Sequence, residues 1–127
     1  IVGVVSAHAT AYLDSFRAGR CIEAPVTTLL ADGMACRVPD EEPLALIRRE
    51  VDDVIAVTDD EAAAAMRAMF SDTHNAAEGA GAASLAAAMQ QREQWHGQTI
   101  GVTLCGGNVD RELFARVLAG DSGKGWR

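Results

Sequence analysis

Lysine is almost absent from this chain. Its single lysine, Lys124, stands in a glycine-rich tail, Asp121-Ser122-Gly123-Lys124-Gly125-Trp126-Arg127. Chemistry that needs a desolvated amine therefore has one poorly placed candidate. Aromatic residues are scarce as well, at 5%, which leaves alanine and aliphatic side chains to build the core. No apolar run approaches the roughly 18–20 residues that span a bilayer, and no charged leader with a cleavage pattern opens the chain. Three cysteines, Cys21, Cys36 and Cys105, lack C-x-x-C spacing, which fits reduced thiols better than a disulfide framework or a zinc site. Basic residues are outnumbered, giving a net charge of −7. That argues against nucleic acid or an anionic membrane as a partner, since both reward clustered Lys and Arg. Neither a G-x-G-x-x-G nor a Walker pattern occurs. A cytoplasmic globular protein is the expectation.

What is present reads as alternating elements. Ile1–Val5 is an apolar run suited to a buried parallel strand, and it opens at Ile1 as a piece of a longer polypeptide would. A helical pattern over 6–18 puts Tyr12, Leu13 and Phe16 on one side, with Gly19 as its C-cap. An irregular stretch over 20–38 contains Ala31-Asp32-Gly33. Pro43 opens a helix with Leu44, Ile47 and Val51 inward, and Val54–Val57 is a second strand. Thr58 and Glu61 match a capping box ahead of a helix over 62–70, so the aspartates between them read as caps rather than catalysts. Ala77-Glu78-Gly79-Ala80-Gly81 leads into an alanine-rich helix reaching about Gln91. Thr99–Leu104 is expected to be a third strand that delivers Cys105-Gly106-Gly107-Asn108 to a sheet edge. Arg111–Leu118 closes with Leu113, Phe114, Val117 and Leu118 inward, and the remainder is expected to fray. Alternating strands and helices predict an α/β fold with a mostly parallel sheet between helical layers. In such sheets ligands bind at the carboxyl ends of the strands.

Read alone, Cys105–Asn108 suits a plain strand-to-helix turn or a ligand loop, and Glu78 suits a helix cap or a site carboxylate. On that footing a small α/β ligand-binding or interaction domain without catalysis stays open as a reading. Four motifs in order, however, carry a resemblance: Ala31-Asp32-Gly33, Val51-Asp52-Asp53-Val54, Glu78-Gly79-Ala80-Gly81-Ala82 and Cys105-Gly106-Gly107-Asn108-Val109-Asp110. Together they resemble the C-terminal part of the threonine dehydratase and serine racemase family, fold-type II enzymes dependent on pyridoxal 5′-phosphate. The likeness spans residues 1 to 118. It implies a partial three-layer sandwich, the C-terminal half of the large domain, over residues 1–120, with 121–127 as a flexible tail.

The resemblance also implies a function. The parent would dehydrate and deaminate threonine or serine to a 2-oxo acid and ammonia, as a homo-oligomer acting on a small amino-acid substrate. The Schiff-base lysine and the tetraglycine phosphate loop are expected upstream, so no catalytic residue falls in this segment and the segment alone should be inactive. Cofactor contacts would come from Cys105, Gly106, Gly107, Gly33 and Glu78. Cys105 stands where the family usually has a serine on the pyridine nitrogen; a thiol is a weaker and larger donor, or in this position simply a small buried apolar group. Serine racemases carry acidic cation ligands just after the first strand. Here that stretch is Ser6-Ala7-His8-Ala9-Thr10-Ala11-Tyr12, without a carboxylate, so no metal is expected.

Overall fold

The computed structural model describes residues 1–121. Two strands, β1 (Val2–Ser6) and β2 (Asp53–Val57), pair in parallel, with Val2 opposite Asp53 and Ser6 opposite Val57. The crossover between them carries α1 (Ala11–Ala18), a short 3₁₀ turn (Asp32–Met34) and α2 (Glu41–Glu50). After β2 come α3 (Asp59–Thr73), α4 (Gly79–Gln90) and α5 (Arg111–Ala119). The α/β class and helices on both sheet faces match the sequence reading.

Alternation along the strands sorts the two faces. Val4 and Ile55 are register partners and pack with Val57 into the main core against α3 and α4. Gly3, Val5 and Val54 point the other way, toward Tyr12, Ile47 and Val51, and line a cavity of about 450 Å³ beneath the 32–36 turn. The main core is built largely of alanine: Ala62, Ala63 and Ala65 on α3, Ala82, Ala83, Ala86 and Ala87 on α4, around Met66 and Met69. Small side chains let these helices approach closely, and each contributes little apolar area of its own. Phe70 and Phe114 then fasten α5 to α3 edge to face, with ring centroids 5.5 Å apart.

Local signals set most element ends. Gly19 (φ +74°) and Gly120 (φ +90°) end α1 and α5 in the left-handed conformation that glycine adopts freely. Asp40 caps α2 by accepting from the Glu42 N–H, which puts Pro43 in the first turn. The capping box is complete: the Thr58 hydroxyl accepts from the Glu61 N–H at 3.2 Å, and the Glu61 carboxylate accepts from the Thr58 N–H at 2.7 Å. Gln90, at the far end of α4, donates to that carboxylate and to the Ala56 carbonyl.

Burial opposes the charge on Glu61, but donation from the Thr58 N–H, the Gln90 amide and the Thr58 hydroxyl outweighs it and holds the carboxyl below its ordinary range. A folded-state value below the unfolded one stabilises above the ordinary carboxylate range, and the gain is lost as pH falls through the depressed value. Glu61→Gln is therefore expected to cost about a few tenths of a kcal/mol at pH 7, less at pH 3, below the ordinary carboxylate range. Urea denaturation at the two pH values checks this; an equal cost at both would refute it.

Three expectations need correction. Residues 99–104 form no strand, because a strand needs a lateral partner. A cleft of about 350 Å³, lined by Ile1, Val2 and Val4 on one side and 98–102 on the other, separates this run from β1. Its backbone is met instead by Ser84, whose hydroxyl accepts from the Thr103 N–H and donates to the Thr103 carbonyl. Leu118 is exposed rather than inward, since α5 turns Val117 to the core. Helix α1 starts at Ala11, because Ser6 completes β1 and residues 7–10 are spent in the turn. The expected tail, Lys124 included, lies outside the described residues apart from Asp121.

Candidate functional site

The site grows from the point where α4 begins. Glu78 is the N-cap residue of α4, yet its side chain does not cap the helix. It reaches across to the 105–108 loop, where Oε2 accepts from the Asn108 N–H at 2.9 Å. The Glu78 N–H in turn donates to the Gly106 carbonyl at 3.0 Å. One residue thus holds the loop by backbone and side chain together, although 28 positions separate Glu78 from Gly106 in sequence.

Two glycines make this approach feasible. A Cβ on Gly81 would stand 2.2 Å from the Gly106 carbonyl oxygen, and one on Gly106 would stand 2.7 Å from Glu78 Oε1. The first contact is with backbone, which cannot swing aside, so helix and loop touch backbone to backbone there; the second is with the end of the Glu78 side chain. Gly33 approaches from the opposite side: its Cβ position is 3.4 Å from Glu78 Oε1 and 3.0 Å from Ala80 Cβ. Gly33 and Gly106 therefore meet at the Glu78 carboxylate, Gly107 faces the Ala76 carbonyl, and Cys105 stands exposed beside them. Exposure rules out the buried apolar reading of Cys105 made from sequence.

Sequence reasoning missed the support behind Gly33. Asp59 is buried at the first position of α3, directly after β2. Its carboxylate accepts from the Thr28 hydroxyl at 2.6 Å and from the Leu29 N–H at 2.8 Å. The Thr28 hydroxyl also accepts from the Ala31 N–H at 3.0 Å. A capping signature at 58–61 disguised this tertiary role.

The Glu78 carboxylate fills the space between the Gly33 and Gly106 backbones, with Cys105 exposed at one edge.

Comparison with known proteins makes the assignment specific. The chain belongs to the pyridoxal-phosphate-dependent enzyme family, whose model matches residues 1–106. It is 40% identical over 119 residues to the L-threonine ammonia-lyase of Geobacter sulfurreducens, covering 93% of this chain and 29% of that protein. Among solved structures, a threonine deaminase from T.th. superposes with a TM-score of 0.79 at 32% identity, over 86% of this chain and 40% of that one. Maize serine racemase gives 0.76 at 33% identity, over 94% and 38%. The chain spans about a third of the length of the curated relatives it matches. The family's cofactor is pyridoxal phosphate, as the resemblance implied. No helix among the described residues is long and apolar enough to cross a membrane.

Proposed function

We propose that this chain forms the ring-binding wall of a cytoplasmic, homo-oligomeric ammonia-lyase that converts threonine or serine to a 2-oxo acid and ammonia. The observation that carries this reading is the clamp by which Glu78 holds the Cys105-Gly106-Gly107 backbone opposite Gly33. Bound pyridoxal phosphate supplies the electron sink for the substrate's α-carbon. The chain's own residues bind and orient it. The Cys105 thiol would meet the pyridine nitrogen as a neutral partner, which does not force that nitrogen to be protonated. Gly106 and Gly107 would present their backbone to the ring, Gly33 would line the other side near the substrate, and Glu78 fixes the spacing between them.

Elimination fits better than racemisation because residues 6–12 offer no carboxylate for a cation. Loss of the α-proton and β-hydroxyl as water, followed by uptake of one water, gives the 2-oxo acid and ammonia with all atoms accounted for. The attacking amine for the cofactor is assigned outside this segment, since Lys124 is its only lysine. The full-length protein is therefore expected to release 2-oxobutanoate from threonine, while residues 1–127 alone release none. Borohydride reduction with pyridoxal phosphate followed by intact-mass measurement checks the second point. A stoichiometric adduct on Lys124, or a full-length protein that releases no 2-oxo acid from threonine or serine, would overturn the reading.

A further inference from the structure

We propose that Asp59 is a positioning residue for the cofactor site, holding the 28–33 turn so that Gly33 faces Glu78; this rests on the function proposed above. The chain of contacts is continuous. The buried Asp59 carboxylate takes the Thr28 hydroxyl and the Leu29 N–H, and the Thr28 hydroxyl takes the Ala31 N–H. The next residues are Asp32 and Gly33. The same turn is pressed onto α4, where a Cβ on Gly79 would stand 2.4 Å from the Leu30 carbonyl oxygen. Leu30 and Ala31 are buried between these supports. Asp59 also stands in the first turn of α3, where the helix dipole favours a negative charge. A helix that begins at the end of β2 thereby sets the height of a turn some 30 residues earlier in the chain.

Asn at position 59 keeps the shape and an acceptor for the Leu29 N–H, but toward Thr28 it can only donate to the hydroxyl, so the charge-assisted acceptance from that hydroxyl is lost. Val at position 28 removes the hydroxyl at nearly constant volume, whereas Ser keeps it. The test uses the full-length protein with Asp59→Asn, Thr28→Val and Thr28→Ser. In the first two, the amides of Leu29 and Ala31 should exchange with solvent about tenfold faster, and cofactor affinity should fall about tenfold, each equivalent to about 1.4 kcal/mol. Thr28→Ser should restore both to within about threefold. Unchanged amide exchange in Asp59→Asn and Thr28→Val would overturn the proposal. So would faster exchange with unchanged cofactor affinity, or a Thr28→Ser protein as impaired as Thr28→Val. A wild-type protein that binds no pyridoxal phosphate would instead defeat the functional reading, and the exchange data would still decide whether Asp59 holds the turn.

Discussion

Gly81→Ala is expected to lift the Cys105–Asn108 loop off α4 and to destabilise the full-length protein by about 2–4 kcal/mol. Two effects oppose each other at this position. Alanine is the better helix former, by about 1 kcal/mol over glycine in a helix interior. Against that, its Cβ would stand 2.2 Å from the Gly106 carbonyl oxygen and 3.0 Å from the Gly106 nitrogen. Both are backbone atoms, so no side-chain rotation relieves the contact. Overpacking of this kind costs about 1–3 kcal/mol and at times more. If the loop moves instead, it gives up the Glu78 N–H to Gly106 bond and the Asn108 N–H to Glu78 bond. Each such bond contributes about 1 kcal/mol, with more for the one to a carboxylate.

The clash wins by either route. Urea denaturation and cofactor titration should both register the change, because the displaced loop carries Cys105. Gly101→Ala is the control: nothing lies within 4 Å of its Cβ position, and both readouts should stay near wild type. A Gly81→Ala protein with wild-type stability and cofactor affinity would show that the loop is not seated on α4.

The contrast between those two glycines shows what the sequence could and could not disclose. Elements closed by neighbours in sequence were legible. The Thr58–Glu61 box, the C-cap Gly19 and a helix with Pro43 in its first turn are settled within four residues, and all appear as their patterns predict. The order of motifs was enough to indicate the family, since each short pattern constrains little but their succession constrains much. Contacts that depend on distant partners were not legible. Thr99–Leu104 has the composition of a strand, yet strandhood is a property of pairs, and no strand among the described residues lies alongside it. Glu78 was open between a cap and a site residue; the structure makes it neither a side-chain cap nor a free carboxylate, but a tie to a loop 28 residues on. Asp59 sits inside a capping signature that accounts for it locally, so nothing in the sequence pointed to Thr28.

Met66→Ala should destabilise the full-length protein by about 3–4 kcal/mol while leaving the site's geometry alone. Met66 is fully buried on α3, within a core whose other members on α4 are Ala82, Ala83, Ala86 and Ala87. Truncating a buried methionine costs about 2–5 kcal/mol, and the value depends on how far the neighbours collapse into the space left behind. Alanines cannot collapse: a methyl group fixed to the backbone has no rotamer that reaches into a hole. On the α4 alanine side only movement of the whole helix would fill it, and α4 is tied at both ends, by Glu78 to the loop and by Gln90 to Glu61 and Ala56. The cavity should therefore persist and place the cost in the upper part of the range. Met89 on the same pair of helices is 41% exposed, and its truncation should change stability by no more than about 0.5 kcal/mol. Because Met66 touches neither the loop nor the 28–33 turn in any hydrogen bond, cofactor affinity should stay within about threefold of wild type. The two readouts together separate the frame from the site: Gly81→Ala shifts both, Met66→Ala shifts the denaturation midpoint alone. A Met66→Ala protein losing less than about 1.5 kcal/mol would mean that α3 and α4 can close on each other despite those ties, and the rigid spacing assigned to Glu78 would fall with it.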